Sequence, residues 1–237
     1  MAIILFLALL PISESRFYIF LGTDIMIMGL FAVSLNLLLG YTGLVCFGQA
    51  AYFGIGAYTC TLLMKKASLA FPLAFLAAPV FGAVAALIIG FFCIQRTKIY
   101  FAMLTLAFSQ IVWAIVFKWN SLTGGDNGII GIPFPRHLDS PTRFYYFTLG
   151  VVVCSFYIMR KAVNSPFGRM LTTIRENPER TEFIGINVKL FQLFAFMISG
   201  FFSAIAGALF AIFNHSIFPD LLFWSQSAEV LIMALLG

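Results

Sequence analysis

Long apolar runs recur along this chain, and they limit its fold more than any other feature. Residues 18–39, 72–93, 99–117, 144–159 and 190–213 hold one charged residue between them, Asp24. Such runs come near the roughly 20 residues that a helix needs to cross a hydrocarbon layer about 30 Å thick. Shorter runs at 3–10, 49–64 and 227–237 extend the series. Of the 237 residues 62% are hydrophobic and 10% charged, and 29 are phenylalanine. One soluble core cannot hide that much apolar surface. In lipid every backbone polar group needs an internal partner, which favours helices, and the alternation of barrel strands is absent. The expectation is an all-α, polytopic helical membrane protein with about seven to eight spans, residues 1–237 forming a single transmembrane domain.

The net charge of +5 does not indicate nucleic acid, because the basic residues are scattered at helix ends, as membrane topology requires. Cys46, Cys60, Cys93 and Cys154 have no CxxC spacing and lie in apolar surroundings, so they read as buried free thiols. His137 and His215 stand alone in expected loops and support no metal or catalytic site. Asp24 and Glu229 lie near span ends, where contact with headgroups or water costs little. No intramembrane catalytic constellation is visible.

Two patterns stand out within the apolar runs. From Gly40 to Tyr58 the chain carries Gly40, Gly43, Gly48, Gly54 and Gly56, with Gln49 among them and Asn36 just before. Glycine at this density weakens a regular helix. Broken backbone at membrane depth is tolerated only where protein or a water-lined cavity covers it, and such breaks often line transport paths. Close packing of helices through small residues is the simpler explanation of any one glycine. The second pattern is a spacing of four: Ala78, Gly82, Ala86 and Gly90 in one run, and Ser199, Ser203, Gly207 and Ala211 in another. Each makes a small-residue stripe that lets a neighbouring helix approach closely.

Residues 164–189 are the longest polar interruption. Arg169, Arg175, Arg180 and Lys189 are interleaved with Glu176, Glu179 and Glu182, with Asn177 and Pro178 between and Gly185, Ile186 and Asn187 closing the stretch. It is either a solvated connection between spans or a surface for a partner. With the N-terminus in the cytosol, alternating spans put eight basic residues inside, at 95–98 and 160–189, against six outside. That places 164–189 in the cytosol, although Lys65 and Lys66 then fall on the side the positive-inside rule disfavours. The run Thr123-Gly-Gly-Asp-Asn-Gly128 lacks the Gly-Lys-Ser/Thr of a phosphate loop and reads as turn chemistry.

Several segments, in order, resemble one family. Ser34-Leu-Asn-Leu-Leu-Leu-Gly-Tyr-Thr-Gly43, Phe47-Gly-Gln-Ala-Ala-Tyr-Phe-Gly-Ile-Gly-Ala-Tyr-Thr59, Tyr100-Phe-Ala-Met-Leu-Thr-Leu-Ala107 and Leu122-Thr-Gly-Gly-Asp-Asn-Gly128 are similar to the landmarks of LivM-type permeases of branched-chain amino acid ABC importers. Ser165-Pro-Phe-Gly-Arg169, Ile174-Arg-Glu-Asn-Pro178 and Gly185-Ile-Asn187 resemble the cytosolic loop of that family. The resemblance implies a multi-pass permease subunit in a bacterial inner membrane, with no catalytic residues and no cofactor of its own. ATP and Mg would be used by two cytosolic ATPase subunits, alongside a sister permease and a periplasmic solute-binding protein. Residues 164–189 would be the coupling loop, with Arg175, Glu176, Asn177, Pro178, Glu179, Arg180, Gly185, Ile186 and Asn187 at the ATPase. Asn36, Gly40, Gly43, Gly48, Gln49, Gly54 and Gly56 would lie along the translocation path. Arg180 and Thr181 stand where the family pattern has small alanines. The family continues past Gly237, so a C-terminally truncated chain is expected. An importer of urea or short amides, or a self-contained channel or secondary transporter, are the alternative readings.

Overall fold

In the computed structural model, residues 16–95, 98–132 and 140–236 are described. The expected first helix at 3–10, Arg96 and Thr97 of the basic turn, residues 133–139 of the following loop, and Gly237 lie outside them. The protein is an all-α membrane protein. Its helices are α1 (Arg16–Asn36), α2 (Gln49–Lys65), α3 (Phe71–Cys93), α4 (Lys98–Lys118), α5 (Pro141–Asn164), α6 (Pro166–Glu176), α7 (Pro178–Phe183), α8 (Val188–Asn214) and α9 (Trp224–Leu236). Proline in the first turn opens α3, α5, α6 and α7. There its fixed φ fits the helix and its missing N–H costs nothing.

Five helices among the described residues are long and apolar enough to cross a membrane, against the seven to eight spans expected. They are α1 with its continuation to Thr42, then α3, α4, α5 and α8. Residues 3–10 lie outside the described residues, and two further elements are short. α2 has 17 residues because the glycine-rich stretch before it is not helical. α9 runs for 13 residues to Leu236, the last described residue, and is preceded by a 3-10 turn, Pro219–Leu222.

α8 is the centre of the molecule. It packs most extensively against α2 and α3, and then against α1. In its most apolar window 72% of residues are buried, against 17% for α4 and for α5. The two small-residue stripes explain how three helices come so close. Gly82 of α3 faces Ala204 and the Gly200 carbonyl, and Gly200 in turn faces Ala86. Gly90 faces Phe196 and Leu193. On the adjacent face of α8, Ser203 and Gly207 meet Gln49 and Phe53 of α2. Ala78, Ala86, Ser199, Ser203 and Ala211 are all fully buried. Of the four cysteines, Cys154 is not buried as expected but exposed on α5.

At one end of the bundle a two-stranded antiparallel ribbon joins β1 (Ile129–Ile130) to β2 (Ser216–Ile217). The glycines before it supply left-handed backbone at Gly124 (φ 79°), Gly125 (φ 56°) and Gly128 (φ 63°). That agrees with the turn reading of this stretch. Lys65 and Lys66, awkward for the charge rule, donate from this end to the carbonyls of Ile130 and Ser121. The opposite end carries residues 37–43, α6 and α7.

Candidate coupling and translocation site

α1 does not end cleanly. After Asn36 it widens into a π-helical turn, Leu37–Thr42, closed by Gly43 in left-handed conformation (φ 69°). Residues 43–48 then run without regular structure until Gly48 starts α2. Each freed backbone group that the break exposes needs another partner. The Gly43 and Leu44 amides both donate to the Leu38 carbonyl. Phe47 N–H donates to Thr105 Oγ1 at 3.3 Å, and Ala50 N–H to Ser227 Oγ at 2.9 Å. Side chains from α4 and α9 therefore hold the broken backbone.

The predicted break extends less far than expected. Gly54 and Gly56 sit in regular helix, because their missing side chains leave room for Leu222 and for the Ala204 backbone. Gly40 faces the Asn36 side chain, and Gly48 faces the Thr105 backbone.

At the start of α2, Gln49 forms a buried polar hub. Its Nε2 donates to Ser34 Oγ at 3.0 Å and to Ser199 Oγ at 2.8 Å. Ser199 Oγ donates to the Ser34 carbonyl at 2.6 Å, and Ser203 Oγ to the Gln49 carbonyl at 3.3 Å. The hub thus joins α1, α2 and α8. Gln49 Oε1 is buried and has no hydrogen-bond partner among the described residues. Asn36, by contrast, is exposed at the end of α1. The roles of Ser34 in the hub and of Ser227 beside it are not readable from sequence, since a lone serine in an apolar run carries no signal by itself.

Residues 164–189 fold as two short helices rather than an open loop. One face of α6 buries Gly168, Leu171 and Ile174 against the bundle. Asn177 caps α7, its side chain accepting from the Arg180 amide at 3.0 Å. Asn187 caps α8 in the same way, accepting from the Leu190 amide at 3.2 Å. Between them, Gly185 (φ 84°) ends α7: its amide donates to the Glu182 carbonyl, and the Ile186 amide to the Thr181 carbonyl. That is a glycine C-cap of the usual left-handed kind. Three residues expected at the partner surface thus have work within the chain.

Arg175 is exposed but reaches back to the bundle. Its Nη1 donates to the Gly40 carbonyl in the π turn, and its aliphatic stem lies against Gly43. Glu176, Glu179 and Arg180 are exposed, and Pro178 and Ile186 half-buried. Thr181 is fully buried, with Oγ1 donating to the Asn177 carbonyl at 2.9 Å. Phe183 is 90% exposed and Ile184 71%.

Residues 17–237 match the family described as branched-chain amino acid transport system / permease component. The chain is 29% identical over 254 aligned positions to the high-affinity branched-chain amino acid transport system permease protein LivM of Escherichia coli (strain K12), covering 96% of this chain and 60% of that protein. The protein of the same name from Salmonella typhimurium (strain LT2) is 28% identical, with 100% and 62% covered. A probable branched-chain amino acid transport permease protein LivM of Methanocaldococcus jannaschii is 24% identical, with 80% and 65% covered. The chain therefore spans less than two thirds of the length of these relatives. No solved structure matches it.

Proposed function

Because the chain belongs to the branched-chain amino acid transport system permease family, we propose that it is the membrane subunit of an ATP-driven importer for branched-chain or related amino acids. In this reading it sits in a bacterial inner membrane beside a sister permease. Two cytosolic ATPases use ATP and Mg, and a periplasmic binding protein delivers the substrate. The chain itself does no chemistry. Its task is to convert closure of the ATPases into a change of helix packing.

One observation carries this reading. The polar segment 164–189 is gripped by the bundle at one side and leaves Phe183 and Ile184 bare at the other. Exposed apolar side chains flanked by Arg180 and Glu182 suit a partner's groove. The inner side of the same segment touches the break through Arg175 and Gly40. A push on α7 would travel through α6 to the π turn, and from there to Gln49 and the α1–α2–α8 hub. Such a hub can favour one packing in each nucleotide state. Gln49 Oε1, unpaired here, gains a partner in the alternative packing. In this reading Gly40, Gly43, Gly48 and Gln49 border the path, while Gly54 and Gly56 set the helix spacing beside it.

Two variants separate the outer and inner sides of the segment. F183D/I184D should leave folding intact, since both side chains are exposed, and should lower ATPase co-purification at least about tenfold, the size of an interface hot spot. R175A should keep the ATPases bound and hydrolysing, yet lose substrate uptake in vesicles. If ATPases never accompany the unmodified chain, or if it transports without ATP, the importer reading is wrong.

A further inference from the structure

Arg160 and Lys161 close α5 at the end of the molecule that holds α6 and α7. Neither makes a hydrogen bond or ion pair among the described residues. Beside Arg160 a cavity of about 350 Å³ opens between α1 and α5, where α1 gives way to its π turn; Val33, Asn36, Tyr41, Met159 and Val163 help to line it. A second hollow of about 430 Å³ shares Arg160 and Asn164 with the first and reaches Tyr157 and Lys161. No acidic residue lines either.

Val33, Leu37, Phe156, Met159 and Val163 give the first cavity apolar walls, with Asn36, Arg160 and Asn164 as its polar groups, and Lys161 lines the second hollow beside it. Arg160 lies four residues from the end of α5. At a rise of about 1.5 Å per residue that is roughly one turn inside the end of an apolar span, where Arg and Lys commonly anchor at headgroups. Two unpaired cations above an apolar groove at that depth match a phosphodiester joined to an acyl chain. We propose that this notch is a binding site for an anionic phospholipid, with its phosphate on Arg160 and Lys161 and one chain along the groove. Bound there, the lipid would brace α5 against the π turn that Arg175 also holds. The site does not depend on the importer reading.

The test uses the full chain, purified with whatever partners it carries. Phosphatidylglycerol, phosphatidylcholine, glycerophosphoglycerol or inorganic phosphate is added, and bound lipid and melting temperature are read by native mass spectrometry and a thermal ramp. Phosphatidylglycerol should stay bound and raise the melting temperature; the other three should not. Each charge removed should weaken retention about fivefold at low salt, so R160Q/K161Q should lose about twenty-fivefold. K118Q/R143Q, which removes the same charge at the opposite end, should lose nothing. Equal retention of the two lipids, or equal loss in both double variants, overturns the site. So does stabilisation by phosphate or glycerophosphoglycerol alone, or loss of a bound polypeptide in place of lipid. Should R160Q/K161Q fail to fold, a salt titration of the unmodified protein decides: retention independent of salt overturns the proposal.

Discussion

Gly43 and Gly56 lie on either side of the Gln49 hub, and the chain uses the missing side chain differently at the two places. At Gly43 glycine supplies a backbone angle: φ is 69°, and the residue closes the π turn. At Gly56 the backbone is ordinary helix, and glycine supplies space: a Cβ there would run into the Ala204 backbone. Gly207 repeats the second use from the other helix, facing the Phe53 carbonyl. The break and the tight α2–α8 contact are therefore separate devices, although the sequence shows one continuous glycine-rich stretch. The first lets the backbone depart from helix. The second sets how closely α2 and α8 approach.

The sharpest way to break this comparison is to add one methyl group on each side of it. G56A and G207A force backbone against backbone, which no rotamer change relieves. Each should destabilise the protein by about 3 kcal/mol, the upper range for overpacking. Unfolding in mixed micelles would read this as a clear loss of stability and of folded yield. Unchanged stability in both would mean that the α2–α8 contact is looser than described.

G43A should cost less, about 1.5 kcal/mol, because the penalty is one left-handed residue. The Arg175 stem, 3.1 Å from the new Cβ, would also have to give way slightly. G43N discriminates the two uses of glycine. Asparagine tolerates the left-handed region, so it should recover part of that loss even though it is larger. The same replacement at position 56 should recover nothing. If G43N were worse than G43A, space rather than backbone angle would be the requirement at Gly43.

These outcomes also bear on what could be read before the structure. The spans of α1, α3, α4, α5 and α8 were legible because length and hydropathy suffice for them. The stripes at spacing four were legible because helical periodicity alone puts Gly82 and Ala86, or Ser203 and Gly207, on one face. The break was legible near Gly40 and Gly43, but its end was not. Whether Gly54 sits in a helix depends on Leu222, far along the chain, filling the space beside it. The hub was hidden for the same reason: Gln49 meets Ser199 only after α8 has folded back. The contact of Arg175 with Gly40 was hidden too, since charge pattern cannot tell which face of α6 the bundle takes. Half-length elements defeated the span count: α2 starts only after the break, and a 3-10 turn at Pro219–Leu222 precedes α9.

The smallest expected effect tests the outer limits of the comparison. Gly150 of α5 and Gly29 of α1 lie in regular helix, and a Cβ at either would meet nothing within 4 Å. Neither backbone angle nor space requires glycine there. G29A and G150A should therefore stabilise the chain by about 0.5–1 kcal/mol, the ordinary gain of alanine over glycine in a helix. Melting of the chain alone should show this as a small rise. Melting of the chain with any subunit that co-purifies then carries the information. A rise in both settings means that these faces meet lipid, whose tails adapt to a methyl group. A rise for the chain alone with weaker subunit assembly means that a helix of a partner packs closely against α1 or α5. Small residues are what such a crossing needs, and the third use of glycine in this chain would then be reserved for a contact between subunits.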